Sequence, residues 1–158
     1  MKRADITVPL QIAEYAELSA EDRALVDAAR QATYRSYAPY SRFSVGAAIL
    51  LSNGETVTGS NQENAAYPSG TCAERTAAYY AHSTYPDAAF KTIAIAARDT
   101  SGAFTRTPTA PCGACRQALL EYETLAATDV RVILAGDNEI FILPSVRSTL
   151  PLAFCEFA

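Results

Sequence analysis

Ile6, Val8, Leu10 and Ile12 alternate with polar or turn-forming neighbours, a period of two that predicts a short strand. Pro9 has no N–H to give, so that strand belongs at a sheet edge. Ser19 followed by Asp22 opens a helix in which Leu25, Ala28, Ala29 and Ala32 make one small-residue face, running to about Tyr37 before Pro39. Residues 43–51 are mostly apolar and too short for a typical helix; Asn53-Gly54 follows, and residues 55–59 resume in β-forming types. Two apolar runs around Asn-Gly predict a hairpin. Thr71 starts a helix that reaches about Ser83, and residues 91–97 (KTIAIAA) read as a buried strand. Residues 99–111 form a loop, and Pro111 leads into a helix through Glu121. Strands at 130–135 and 139–143 are joined by Gly136-Asp137-Asn138, too short a link for a parallel pair, and a short helix follows Pro144.

Helices alternating with strands predict an α/β layered domain around one mixed sheet. The two helices that begin at cysteines each lie between strands, so right-handed crossovers put both on one face, where their N-termini can meet. No repeat or linker divides the chain, so a single domain is expected over 1–158, with the edge strand inside 1–18. At 158 residues, 49% hydrophobic and 19% charged, the chain is long and apolar enough to bury a core without disulfides. No run approaches the ~20 apolar residues of a membrane span. The polar start Met1-Lys2-Arg3-Ala4-Asp5 carries no export signal, so a cytoplasmic protein is expected. With 13 basic and 17 acidic residues, a formal charge of −4 argues against nucleic acid as partner and suits a small neutral substrate.

The cysteines sharpen this picture. Cys72, Cys112 and Cys115 fall in the first turns of two predicted helices, where the partial positive charge favours thiolate. Three thiolates hold a tetrahedral Zn²⁺ with one position open, the pattern of a catalytic rather than a structural site. Arg75 is placed to donate to the sulfurs and offset their charge. Glu74, two residues after Cys72, suits a non-ligand carboxylate that moves protons, an arrangement known for zinc deaminases with a Pro-Cys-x-x-Cys segment.

The strings YSRFSVGAA at 40–48, NQENAAYPSGTCAERTA at 61–77, PCGACRQ at 111–117 and LPLAF at 150–154 resemble the homotetrameric zinc-dependent cytidine deaminases, in the same order. The resemblance implies Cys72, Cys112 and Cys115 as zinc ligands and Glu74 as proton shuttle. It further implies Asn61 and Glu63 as a ribose-binding pair, Phe43 lining the pyrimidine pocket, the backbone at Ala73 reading the base, and Phe154 supplied by a neighbouring subunit. Ala110 stands where the family usually has Ser, and Ala66 where it usually has Cys; neither change removes a ligand. The expectation is a three-layer α/β/α sandwich with one mixed, roughly five-stranded sheet, a homotetramer with shared active sites. Its activity would be hydrolysis of cytidine and 2′-deoxycytidine to the uridines and ammonia, as in pyrimidine salvage.

Other readings compete. The Cys-x-x-Cys pair also fits redox chemistry, or a structural zinc site completed by His82 or Cys155. Thr71-x-x-Glu74 is a capping box, which would give Glu74 a purely structural task. Phe43 and Tyr67 read by default as core aromatics, and Arg116 as a solvent-facing cation. A deaminase of another cytosine-containing small molecule such as blasticidin S, a polynucleotide-editing deaminase, or a non-catalytic zinc module would share the cysteine motifs. The apolar tail of Leu150, Pro151, Leu152, Phe154 and Phe157 either covers its own core or fills a partner's groove.

Overall fold

The computed structural model describes residues 1–155, so Phe157 lies outside the described residues. Its strands are β1 (Gln11–Glu14), β2 (Ser44–Leu51), β3 (Thr56–Ser60), β4 (Phe90–Arg98), β5 (Arg131–Ala135) and β6 (Glu139–Leu143). They form one sheet in the order β1-β6-β5-β4-β2-β3, parallel only between β4 and β5. The helices are α1 (Ala20–Ala32), α2 (Ala73–Thr84) and α3 (Gly113–Ala126).

The central strands are apolar on both faces because both faces are covered. Ala47, Ile49, Leu51, Ile93, Ile95, Val132 and Leu134 pack in the same cluster as α2 and α3. Their alternates Ala48, Leu50, Ala94, Ala96, Ile133 and Ala135 pack with Leu25, Val26 and Ala29 of α1. The three-layer α/β/α arrangement follows directly from that alternation.

The sheet has six strands rather than roughly five, because the N-terminal strand joins it at the edge beside β6. That strand is displaced from the expected 6–12 to Gln11–Glu14, and its pairing with β6 begins at Gln11. Pro9 lies just ahead of that point and has no ladder donor to offer. The first helix ends as an α-helix at Ala32 rather than near Tyr37, tightening into a 3₁₀ turn, Thr33–Arg35. Here Thr33 Oγ1 donates to the Arg30 carbonyl at 2.6 Å, while Arg98 donates to Thr33 and stacks over the Tyr34 ring at 4.0 Å. The short helix expected after Pro144 is the 3₁₀ turn Arg147–Thr149.

Two glycines bear on the site. Gly54 takes φ +88° in the hairpin between β2 and β3, a conformation that suits a residue without Cβ. At Gly59 a Cβ would lie 2.5 Å from the Ala73 carbonyl oxygen and the Ala77 nitrogen, so its absence lets the first turn of α2 rest on β3. β3 and β4 both run antiparallel to β2 and therefore parallel to each other. Their carboxyl ends reach the same margin of the sheet, and α2 and α3 start from that margin.

Candidate active site

At this margin Cys72 and Cys112 are the N-cap residues of α2 and α3, and Cys115 sits at the third position of α3, fully buried. The three Sγ atoms lie within 4.8 Å of one another, and Cys72 and Cys112 are 3.9 Å apart. Tetrahedral zinc with sulfur bonds of about 2.3 Å sets sulfur–sulfur edges of about 3.8 Å, so the residues present fit the ion. Neither His82 nor Cys155 belongs to the cluster. The His82 ring packs against Tyr122 at 5.3 Å, and Cys155 Sγ receives the Arg147 guanidinium at 3.2 Å. With three ligands in hand and no fourth among the described residues, the set is that of an open metal site.

The Cys72 thiol is shifted toward its thiolate form. Hydrogen bonds from Cys115, Arg75 and Cys112 lower its pKa to about 5, against the opposing effect of burial. Cys115 is pushed up, because it gives its hydrogen bond to the Cys72 thiolate and is itself buried. Arg75 Nη2 stands 3.8 Å from Cys72 Sγ, and the same contact raises the already high pKa of the guanidinium.

Glu74 is 4% exposed and occupies the second position of α2. The capping box expected at Thr71 does not form, since Cys72 is the N-cap and makes no side-chain cap bond. Thr71 is instead held in an extended bridge, its N–H and carbonyl both paired with Gln62 at 2.9 Å. That pairing moves the helix start one residue on and frees Glu74 from the cap. Burial pushes the Glu74 carboxyl above the usual carboxylate range, and the charge of Cys72 adds to the rise.

An open cleft of about 430 Å³ lies over Cys72 and Arg75, walled by Tyr40, Asn61, Glu63 and Tyr67 among others. Glu63 Oε2 accepts from the Tyr40 and Ser41 N–H groups at 2.9 and 3.3 Å. The Ser41 side chain and these N–H groups hold its carboxyl below the ordinary value. Asn61 is tied up more completely: its Oδ1 accepts from Ser36 and from the Val45 N–H, and its Nδ2 donates to the Phe43 carbonyl. Tyr67 is 77% exposed and meets Tyr40 edge-on at 6.1 Å, so it is a cleft aromatic and not the core aromatic its type suggests. Phe43 is half-buried, Ala73 is buried at the start of α2, and Phe154 is 71% exposed. Neither phenylalanine lines the cleft of the single chain.

The family model described as the cytidine and deoxycytidylate deaminase zinc-binding region matches residues 19–129, a span holding all three cysteines and Glu74. The chain belongs to that deaminase family. A cytidine deaminase of Halalkalibacterium halodurans is 41% identical over 130 residues, covering 82% of this chain and 91% of that protein. One from Sporosarcina psychrophila is 40% identical over 132 residues, covering 84% and 90%. Among solved structures, the cytidine deaminase of Burkholderia pseudomallei superposes with a TM-score of 0.69 at 37% identity, over 87% of this chain and all of that one. Within this deaminase, sequence reasoning missed Arg116 and Gln117. Arg116 is not solvent-facing: its Nε donates to the Pro111 carbonyl at 2.7 Å and its Nη1 to the Thr149 carbonyl at 2.8 Å. Its place directly after Cys115 was the available signal, since a long cation in a first turn reaches the carbonyls around the helix start.

Proposed function

We propose that the chain hydrolyses cytidine and 2′-deoxycytidine to the corresponding uridines and ammonia. One observation carries the reading: three convergent thiol sulfurs beside a buried carboxylate that no cap bond consumes. Zinc at the three sulfurs supplies Lewis acidity that makes water a nucleophile near neutral pH. Arg75 and the two helix N-termini offset the negative charge of the thiolates. Glu74 takes a proton from the attacking water and delivers it to N3 of the base as oxygen adds to C4. It then takes the remaining proton from the new C4 hydroxyl and passes it to the amino group; the C4–N bond breaks as the C4 carbonyl forms, and ammonia leaves. Burial raises the Glu74 carboxyl, the direction that suits a group serving as both base and acid near neutral pH.

The sugar is assigned to the Asn61–Glu63 side of the cleft, where Glu63 is an ionised acceptor held by the Tyr40–Ser41 turn. Asn61 bonds the backbone at Phe43 and Val45 and so fixes that segment beside the cleft; Phe43 does not line the cleft of the single chain and is assigned to the pyrimidine on the family resemblance. Buried Ala73 brings the backbone that reads the base. Phe154 is assigned to a neighbouring subunit's site in a homotetramer, a reading supported by its exposure and by the cleft's lack of either phenylalanine. Four free cysteines, including the site's three, suit the cytoplasm, where thiols stay reduced. The test is a spectrophotometric assay of the zinc-loaded protein with cytidine, deoxycytidine, cytosine, CMP and adenosine. Turnover is expected with the first two; full metal content without turnover of either refutes the reading.

A further inference from the structure

The segment after β6 is gripped from two adjacent residues of α3. Arg116 bridges the Pro111 carbonyl, just ahead of Cys112, to the Thr149 carbonyl at the end of the last 3₁₀ turn. Gln117 Nε2 donates to the Phe154 carbonyl at 2.7 Å. Between these two holds, Leu150 and Ala153 pack against the core, whereas Leu152 is 93% exposed and Phe154 71% exposed. Leu152 takes φ +58°, a left-handed conformation that L residues with a side chain rarely adopt. The chain is therefore bent at Leu152 and fixed by its backbone on either side, while the large side chains point away from the core that would otherwise bury them. Simple coverage of the chain's own core needs neither the bend nor the exposure of Leu152 and Phe154.

We propose that Gln117 and Arg116 are positioning residues for substrate binding. They tie the strap bearing Phe154 to the turn that bears Cys112 and Cys115, so that the position of the aromatic ring is set by the metal-site helix. The inference rests on the reading that Phe154 closes over the base in a neighbouring subunit. Neither Gln117 nor Arg116 touches substrate; Gln117 acts through the Phe154 backbone, and Arg116 holds the near end of the strap.

Gln117→Leu and Gln117→Glu both remove the donor, one without adding charge and one without changing shape. In the zinc-loaded enzyme each is expected to raise KM for cytidine roughly five- to tenfold, the worth of one hydrogen bond. The turnover number, the zinc content and the thermal midpoint should stay near wild type. The same substitutions placed in a Phe154→Ala chain should add less than twofold to the KM of that chain, because the ring they position is gone. KM within twofold of wild type in both single variants overturns the inference. So does a full additive rise in the Phe154→Ala background, or loss of zinc from Gln117→Leu, since either shows a role in general structure. If Phe154→Ala itself leaves KM unchanged, the strap has no part in binding and the inference falls with the Phe154 assignment. Cytidine turnover by the wild type is a separate readout of the function itself.

Discussion

Replacing Glu74 with glutamine separates proton transfer from support of the fold. The two side chains match in shape, and glutamine keeps hydrogen-bonding capacity while losing the ability to carry a proton between water, N3 and the leaving amine. Positioned acid–base groups contribute about 10²–10⁴-fold to rate, so kcat/KM for cytidine should fall on the order of 10³-fold, or about 4 kcal/mol of transition-state stabilisation. Stability should move the other way or not at all. A lost cap costs roughly 1 kcal/mol, which is about 2–4 °C in a chain of this size, but Glu74 makes no cap. Its carboxyl pKa is raised by burial, so the ionised form is disfavoured in the folded chain at neutral pH, and removing the charge does not destabilise. The measurements are absorbance-monitored turnover, metal content and thermal unfolding on the same preparation. Turnover within tenfold of wild type at full metal content would return Glu74 to a structural role. A fall of several degrees in the midpoint would show that the carboxylate supports the helix start after all.

Cys72→Ala, Cys112→Ala and Cys115→Ala should each cut bound zinc well below one per chain and abolish turnover; full zinc by metal analysis in all three refutes the ligand set. Glu63→Ala should raise KM for nucleosides and leave the reaction of free cytosine little changed, and equal proportional losses would place Glu63 in the fold instead. A Glu74→Gln chain mixed and reassembled with a Phe154→Ala chain should show sites with wild-type KM for cytidine if the aromatic acts across a subunit boundary; mixtures that show only the raised KM of the Phe154→Ala parent refute shared sites. Glu123, 5% exposed, accepts the N–H groups of Val130, Val146 and Arg147. Glu123→Ala should therefore cost on the order of 3–5 kcal/mol, seen as a thermal midpoint lower by about 10 °C or more.

Much of this molecule was legible because the decisive signals are local. The double-sided apolar runs of β2 and β4 and the Asn53-Gly54 turn need only their own neighbours to be read. The cysteines also stand out locally, each within one turn of a helix start. What escaped depends on distant partners. Thr71 looks like a cap until Gln62 pairs with its backbone, and no spacing within 71–74 reveals that pairing. Asn61 is a polar strand-end residue until the amide is seen holding both Phe43 and Val45. Arg116 shows its role only when Thr149, 33 residues on, is folded back against it. Tyr67 was assigned by residue type to the core, whereas it stands exposed at the cleft, on a 3₁₀ turn with Pro68 and Ser69.

The parallel alignment of β3 and β4 also ties completion of the metal site to the central sheet. Cys112 and Cys115 are three residues apart and meet within one helical turn, whereas Cys72 is 40 residues from Cys112. The intervening residues include all of β4, which lies between β2 and β5, so the two helix starts stand together in a structure where that strand is in place. Such long-range closure is slow compared with local turns and hairpins. The complete set of three thiols therefore reports that the central sheet has closed. A chain whose fourth strand is out of register presents two thiolates and an incomplete site, and the third arrives only with the central sheet.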